Sequence, residues 1–298
     1  MQIIKILQNK RNIYSGIIII SLLFAILTFA FNIQWNRTND PTNYVGNADG
    51  TDWKGYQASN LTINFDDLTN NKKTCRIAEF NEYYAANELI IPSLIQNPTN
   101  KLIYELVEIG SAAFEDNILL TGTITLPSSL KTIGSFAFKA CTLLVGELII
   151  PNGVTTIGTE AFSGCIGFTG DVIIPRGVNT IGVDILKYCN GLTGKLVLSN
   201  TITSITESFR YTSLTSVIFL GQNLHSSLFS GMAVFGGSNI SQFVFDGWNS
   251  PPNWNTQNAF AYLSVNDGIV RSINGNLLAG TALDILKNLG LSNGWTAA

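Results

Sequence analysis

Histidine and charged residues are both scarce in this chain. Its 298 residues include one histidine, His225, and Lys, Arg, Asp and Glu together make up 12% of the sequence. The net charge of −3 is spread without long runs, so the chain lacks the basic surface that binds nucleic acid or an anionic membrane. No Cys or Glu stands at metal-ligand spacing from His225, and no nucleophile elbow accompanies it. These shortages exclude nucleic acid as a partner and argue against histidine-based chemistry.

Sequence motifs of catalysis and cofactor binding are also missing. The chain has no Gly-rich phosphate loop, no zinc-protease helix and no Gly-x-Ser-x-Gly motif. The segment after its repeats contains only a few charged residues that could form a catalytic site. These residues are Asp246, Asp267, Arg271, Asp284 and Lys287. We therefore predict that the chain is not an enzyme and binds neither a cofactor nor a metal.

Residues 13–33 form a hydrophobic segment near the N-terminus. Its uncharged run is close to the ~20 residues that a transmembrane helix needs. Three basic residues precede it: Lys5, Lys10 and Arg11. This charge bias predicts a single-pass protein of the cell membrane, with residues 1–12 in the cytoplasm and the body outside. Two interpretations stay open: an uncleaved signal-anchor, which the length favours, or a signal peptide cleaved near Thr28-Phe29-Ala30, which makes the protein secreted.

A period of twenty-four residues runs through the middle of the chain. It holds at several positions at once: Pro127, Pro151 and Pro175; Ile133, Ile157, Ile181 and Ile205; Gly134, Gly158 and Gly182; Cys141, Cys165 and Cys189. Such a period is typical of a solenoid, in which each unit buries its apolar face against its neighbours. Each clean unit has a short apolar strand, a Pro turn, an Ile-Gly pair, a helical turn with Phe or Leu, and a Cys. The pattern predicts an α/β repeat solenoid.

The periodic pattern also divides the chain into segments. We predict a polar stalk and N-terminal cap at 34–73, the solenoid at 74–246 and a C-terminal capping segment at 247–298. The strand Leu89-Ile90-Ile91-Pro92 ends thirty-five residues before the next Pro turn instead of twenty-four. An insertion of eleven residues, around 96–104, is therefore expected to loop out of the first unit.

The second clean unit shows the repeat best, with Leu148-Ile149-Ile150-Pro151, Ile157-Gly158, Ala161-Phe162, Gly164-Cys165 and Phe168-Thr169-Gly170. This order of strand, Pro, Ile-Gly, Ala-Phe and Cys resembles BspA-type leucine-rich repeats. The resemblance covers the predicted solenoid and is carried by several positions in each clean unit. It implies a leucine-rich-repeat-like right-handed coil with a parallel concave β-sheet. It also implies display at the cell surface and adhesion or ligand binding without catalysis.

Three of the four cysteines keep the period, at Cys141, Cys165 and Cys189. Stacked coils lie ~4.8 Å apart with parallel side chains, whereas a disulfide brings two Cβ atoms to ~3.8 Å. A linear array of thiols also cannot form the tetrahedral shell that zinc requires. We predict that these cysteines are small buried core residues.

The repeat strands also predict two rows of outward side chains, because alternate strand residues face opposite sides. We define the outward row as Thr125, Ile149, Ile173, Val197, Ile218 and Val244. We define the flanking row as Thr123, Glu147, Asp171, Lys195, Ser216 and Gln242. A β-branched, uncharged row is typical of a contact surface, and it is equally explained by the preference of β-branched residues for strands. We take the outward row with Glu147, Asp171 and Lys195 as the candidate partner-binding site.

These observations together predict an exported, cell-surface repeat protein without catalytic activity. Its expected role is adhesion or host and cell interaction, through a protein or glycan bound on the concave sheet. The alternative is a structural surface protein that self-associates through the solenoid. In both cases residues 13–33 are predicted to connect the chain to the membrane unless they are cleaved.

Overall fold

A computed structural model of the chain describes residues 61–66, 73–80, 86–221, 228 and 234–245, and the backbone of short strands at 45–47, 269–272 and 296–297. The chain divides into two compact units, Met1–Asn36 and Arg37–Ala298, and every described residue belongs to the second. No helix capable of spanning a membrane occurs among the described residues. The predicted membrane segment at 13–33 lies outside them.

The described residues form nineteen β-strands. The strands of the N-terminal part are β1 Val45–Asn47, β2 Leu61–Asp66, β3 Thr74–Phe80, β4 Ala86–Ile90, β5 Leu94–Gln96, β6 Ile103–Ile109 and β7 Leu120–Thr125. Those of the clean repeats are β8 Thr132–Ile133, β9 Gly146–Glu147, β10 Thr156–Ile157, β11 Phe168–Thr169, β12 Val172–Ile173 and β13 Thr180–Ile181. Those of the later coils are β14 Lys195–Ser199, β15 Ser204–Ile205, β16 Ser216–Leu220, β17 Gln242–Phe245, β18 Ile269–Ser272 and β19 Thr296–Ala297.

Parallel pairing between successive coils shows that the described part of the chain is a solenoid. Strand β12 pairs with β14 with Val172 opposite Leu196, so the partners lie one repeat apart in the sequence. The same sheet continues in parallel through β16, β17, β18 and β19. Strand β4 pairs with β7 with Leu89 opposite Ile124, which confirms the thirty-five-residue offset across the insertion. The predicted stacking of repeat coils is therefore correct.

The Ile-Gly position of each repeat forms a second set of strands, which the sequence pattern did not predict. Strand β10 pairs with β8 in parallel, with Ile157 opposite Ile133, and β8 also pairs with β6. One coil further on, β13 pairs with β15 with Ile181 opposite Ile205. The isoleucines are buried, and the Thr or Ser before each is at least partly exposed. Among the described strands, this position joins the coils of β6, β8 and β10 and, separately, those of β13 and β15, while β10 and β13 lie in different sheets.

The predicted helical turn of each repeat is wrong, since the described residues contain no α-helix. This segment is a chain of turns whose alternate N–H groups donate to the next coil instead of to their own segment. The amide of Phe138 donates to the Ala161 oxygen at 2.8 Å, while that of Ala137 donates to the Gly134 oxygen at 3.3 Å. A helix needs consecutive residues of right-handed conformation, and here non-glycine residues repeatedly have positive φ. These residues include Ala112, Asp116, Phe136, Ala140, Glu160, Asp184, Tyr188, Glu207 and Tyr211. The α component of the predicted α/β class is absent from the described residues.

The insertion in the first unit forms a β-hairpin instead of a plain loop. Strands β5 and β6 are antiparallel, with Gln96 opposite Ile103. Their connection is closed by Asn97, whose side-chain oxygen accepts the amide of Thr99 at 2.8 Å, as expected of an Asx turn. Strand β6 then pairs in parallel with β3, which pairs antiparallel with β2. The insertion therefore extends the sheet at the N-terminal side of the repeats.

The core is a continuous stack to which each coil contributes the same positions. The aromatic rings of Phe114 and Phe138 stack with their centroids 5.0 Å apart, and those of Phe138 and Phe162 are 5.4 Å apart. All three rings are fully buried. Because each coil covers its apolar face with the next one, burial is shared between neighbours, as in other repeat proteins.

Candidate functional site

Main-chain pairing places most of the outward row in register. Ile173 lies opposite Val197, Val197 opposite Ile218, and Ile218 opposite Val244. Thr125 pairs instead with Ile90 of the first coil. Ile149 follows β9 and lies just outside a strand. The row thus crosses the coils at one position of the repeat, on a hydrogen-bonded sheet from Ile173 onward.

Exposure varies along the outward row. Ile149 has 68% of its surface exposed and Ile173 has 59%, the two largest values among the exposed large hydrophobic residues of the described chain. Thr125, Val197 and Ile218 are partly exposed. Val244 differs from the prediction, because it is buried at 3% exposure. The accessible apolar surface is therefore centred on Ile149 and Ile173.

The flanking row places two carboxylates beside this apolar surface. Glu147, Asp171 and Lys195 are all exposed. The amide of Lys195 donates to Oδ1 of Asp171 at 2.8 Å, which holds that carboxylate against the next coil. Within the described residues, neither Glu147 nor Asp171 forms an ion pair with a Lys or Arg side chain. Their negative charge is available to a partner. In the same row Ser216 is buried, Gln242 is partly buried and Thr123 is exposed.

The cysteines are buried in the core, as predicted, and they also carry hydrogen bonds that the sequence did not reveal. All four are free thiols. Cys165 Sγ donates to the carbonyl oxygen of Phe138 in the preceding coil at 3.0 Å. Cys141 and Cys189 make the same bond, at 3.0 Å, to Phe114 and Phe162. Each of these carbonyls also accepts a main-chain amide of its own turn, so the thiol adds a second hydrogen bond, from the next coil, which a purely apolar side chain cannot supply.

Burial makes these thiols unreactive. It raises the pKa of Cys75, Cys141 and Cys189 to about 12, and it raises the pKa of Cys165 well above its usual value. Because the thiolate is the nucleophile, a thiol in this state is a poor catalytic or redox group. The cysteines, although their thiols are the most nucleophilic side chains of the chain, therefore serve as core residues.

We expect the four cysteines to resist alkylation by iodoacetamide at pH 8.5 in native buffer and to react readily in urea. In the unfolded chain a thiol has a pKa of about 8.5, so about half of the groups are thiolate at this pH. Mass spectrometry of the intact chain counts the modified residues in both conditions. Rapid modification of Cys141, Cys165 or Cys189 in native buffer would contradict their place in the core.

The same pKa shifts predict a stability that falls in alkaline solution. A folded state with the higher pKa binds more protons than the unfolded state above about pH 8.5. The contribution of these thiols is therefore complete below that pH and declines as the pH rises toward 12. Urea unfolding of the full chain at pH 8 and pH 10 measures the loss. Cys165→Ser keeps a donor for the Phe138 carbonyl and removes one titrating group, so we expect it to lose less stability over this interval.

Two exposed tyrosines form a second surface feature that the period does not reveal. The rings of Tyr188 and Tyr211 stack with centroids 5.0 Å apart and an angle of 11° between their planes. They occupy the same position in neighbouring coils, where both residues have positive φ. Their separation of twenty-three residues departs from the period, because the later coil is shorter. A search restricted to twenty-four-residue steps therefore misses the pair.

A buried carboxylate lies near these tyrosines in the sequence and links the same two coils. Asp184 accepts from Arg210 Nη2 at 2.9 Å and from Lys187 Nζ at 3.0 Å. Arg210 also pairs with Glu207 at 3.2 Å. The four charges balance one another, so this cluster links the two coils without leaving a free charge.

The described residues contain no group of three or more His, Cys, Asp and Glu side chains close enough to hold a metal ion. His225 lies outside the described residues. The site geometry within the described part is thus that of an exposed apolar row with an acidic neighbour.

The stacked parallel coils and their shared buried positions define a repeat protein of the β-solenoid class. Residues 107–236 match the model of the BspA type leucine-rich repeat region in six copies. This part of the chain is therefore a BspA-type leucine-rich repeat region, which confirms the resemblance of the sequence motif. No curated protein matches the chain at a significant level.

Three solved structures are similar to the chain. A leucine-rich cell surface protein of Faecalibacterium prausnitzii A2-165 is 20% identical, with 73% of this chain and 70% of that chain covered and a TM-score of 0.45. A leucine-rich repeat protein of T. pallidum is 21% identical, with coverages of 62% and 89% and a TM-score of 0.42. A leucine-rich repeat protein of Bacteroides ovatus ATCC 8483 is 19% identical, with coverages of 72% and 70% and a TM-score of 0.35.

Proposed function

We propose that this chain is a non-catalytic binding scaffold, displayed outside the cell, that holds a partner protein on its outward row. The observation that carries the proposal is the exposure of Ile149 and Ile173 on neighbouring coils that are joined by main-chain hydrogen bonds, such as that from the Phe162 amide to the Ile185 oxygen at 3.0 Å. An apolar surface held on a rigid support is typical of a protein contact site. The burial of every cysteine supports the non-catalytic part of the proposal.

The chemistry of the row favours a protein over a glycan as its partner. A glycan is held by hydrogen bonds and by aromatic faces, whereas the exposed centre of the row consists of two isoleucines. Removing their aliphatic surface from water stabilises a complex at roughly 25 cal/mol per Å². An apolar partner surface obtains this gain, and a hydroxyl-rich sugar does not.

The proposal includes the export of the chain and its attachment to the cell membrane. The hydrophobic segment at 13–33, with basic residues before it, supports a single-pass anchor that leaves the solenoid outside the cell, or a secreted protein if the segment is cleaved. Surface display places the outward row where it meets host or neighbouring cells.

The test is affinity capture with the purified full chain and its Ile149→Asp/Ile173→Asp variant. A charge at the centre of an apolar contact is expected to weaken binding by about tenfold or more, since central anchors contribute most of the binding energy. Ile118→Asp/Ile166→Asp is the matched control, because these isoleucines are also exposed but belong to neither row. Extracts of host or neighbouring cells supply candidates, and quantitative mass spectrometry measures what each variant retains.

The expected result is a set of proteins retained by the wild type and the control and lost by the Ile149→Asp/Ile173→Asp variant. Equal retention by all three chains would show that the outward row is not the contact surface. Sedimentation of the same variants tests self-association, the second use of such a row. An oligomer that dissociates only in the Ile149→Asp/Ile173→Asp variant would identify a second copy of the chain as the partner.

A further inference from the structure

The outward row presents its side chains at the spacing of the coils. Strands paired in a sheet lie ~4.8 Å apart. On the core side, the stacked rings of Phe138 and Phe162 lie 5.4 Å apart in the coils of Thr125 and Ile149, and those of Phe209 and Phe235 lie 5.7 Å apart in the coils of Val197 and Ile218. A partner that lies along the row therefore meets one β-branched side chain about every 5 Å.

The two sides of the row differ in chemistry. On one side lie the exposed carboxylates of Glu147 and Asp171, followed in the next coil by the exposed ammonium group of Lys195. On the other side, two residues further along each coil, lie the ring residues Pro151 and Pro175, of which Pro175 is buried. A complementary partner needs an apolar stripe with positive charge on one edge only, at the part that faces Glu147 and Asp171, and no positive charge where that edge reaches Lys195.

Two kinds of peptide carry such a stripe, and their repeat distances differ. An α-helix presents one side chain per turn on a given face, about every 5.4 Å. An extended strand presents one on a given face about every 6.6–6.8 Å. At one strand spacing per coil, the three steps from Ile149 to Ile218 span about 14–15 Å. The last two of these steps are paired in the sheet. The helix spans about 16 Å and the strand about 20 Å over the same number of side chains.

Side-chain rotamers absorb a mismatch of about 2 Å over this length, but not one of about 5–6 Å, which shifts the last contact by a whole coil. Together with the proposed function, on which this inference rests, we propose that the outward row binds an amphipathic α-helix of the partner. The helix lies across the coils, with its apolar stripe on Ile149, Ile173, Val197 and Ile218. Its Lys or Arg residues lie along Glu147 and Asp171.

The experiment uses three synthetic peptides of fourteen residues as probes. The first has leucines at helical spacing with lysines elsewhere, the second has the same composition in strict alternation, and the third has the helical pattern with glutamates instead of lysines. Fluorescence anisotropy measures the binding of each peptide to the full chain and to Ile149→Asp/Ile173→Asp. The difference between the two chains removes any binding that does not involve the row.

We expect the helical Leu/Lys peptide to bind the wild type at least about tenfold more tightly than the Ile149→Asp/Ile173→Asp variant. The alternating peptide should show no such difference. Glu147→Lys should weaken the helical Leu/Lys peptide about two- to fivefold and strengthen the helical Leu/Glu peptide, since an exposed ion pair contributes about 0.2–1 kcal/mol. Glu147 pairs with Thr169 through its main chain and its side chain makes no described hydrogen bond, so this variant is expected to fold.

Tighter binding of the alternating peptide, or no response of the helical peptides to Glu147→Lys, would overturn the helix inference. So would equal binding of the helical Leu/Lys peptide to both chains. If the captured proteins are still lost from Ile149→Asp/Ile173→Asp in any of these cases, the proposed function stands and only the helical form of the partner is wrong.

Discussion

Phe138→Ala is expected to lower the free energy of unfolding by about 3–5 kcal/mol, as for other buried Phe→Ala substitutions. The Phe138 ring is fully buried and stacks on Phe114 at 5.0 Å and on Phe162 at 5.4 Å. Each stacked pair contributes about 0.5–1.5 kcal/mol beyond the burial of area. The substitution thus removes a contact with both neighbouring coils and leaves a cavity between them. Urea unfolding of the full chain, followed by circular dichroism, measures the change.

Phe136→Ala is the matched control for this prediction, because it makes the same chemical change two residues away. The Phe136 ring is partly exposed, with Lys139 Nζ 4.7 Å from its centre. Its positive φ is kept by alanine, so no backbone strain is added or removed. We expect a loss of about 1 kcal/mol or less. Similar losses for the two variants would mean that the aromatic stack does not hold the coils together.

Gly158→Ala and Gly182→Ala are expected to change stability in opposite directions, although both glycines occupy the Ile-Gly position. A Cβ at position 158 would lie 2.6 Å from Ser135 Cα and 2.7 Å from Gly134 C, which are main-chain atoms of the preceding coil. The coils must separate locally to admit it, at a cost of about 1–3 kcal/mol or more. A Cβ at position 182 would have no neighbour closer than 3.8 Å. There alanine reduces the freedom of the unfolded chain and stabilises by about 0.4–1 kcal/mol.

Thermal and urea unfolding of the full chain show whether each glycine variant gains or loses stability. The later coil already carries Thr206 at the corresponding position, which agrees with the open space around Gly182. A loss of stability in both variants would show that glycine is required at this position in every coil. No loss in either variant would show that the coils separate more easily than their main-chain contacts indicate.

The glycines also illustrate what periodicity can and cannot predict. Equal spacing identifies Gly134, Gly158 and Gly182 as equivalent, and that equivalence is correct for their place in the coil. Whether a side chain fits depends on how closely two coils approach, and this distance is set by residues from both coils. The spacing of residues along the sequence does not give this distance between coils.

The cysteines and the turns before them likewise combine a feature that the sequence predicts with features that depend on contacts between coils. Their shared period and apolar surroundings were sufficient to predict burial for Cys141, Cys165 and Cys189. The hydrogen bond from each thiol to a Phe carbonyl twenty-seven residues earlier was not predictable, because it joins two coils. The segment of the Phe residues was predicted as a helical turn, a conformation that its alanines favour. Its amides donate to the adjacent coil instead, so tertiary contact overrides local preference.

The candidate site was predicted in part for a similar reason. Strand alternation identifies the outward row, and the pairing of Ile173, Val197, Ile218 and Val244 agrees with it. Alternation alone does not distinguish the exposed Ile173 from the buried Val244, since exposure depends on what else packs nearby. The exposed pair Tyr188 and Tyr211 was missed because its spacing is one residue short of the period.

The amino-acid sequence by itself determined that this chain is a stack of similar coils, because a regular period of apolar residues has no other way to bury its surface than against its own repeats. It also determined the repeat class, the equivalent positions of Ile173, Val197, Ile218 and Val244 in β12, β14, β16 and β17, and the core position of the three periodic cysteines. Only the tertiary structure decided which N–H groups cross between coils, which glycines are indispensable and which residues of the outward row reach solvent. These features depend on distances between coils, and they are set by the packing of residues far apart in the chain.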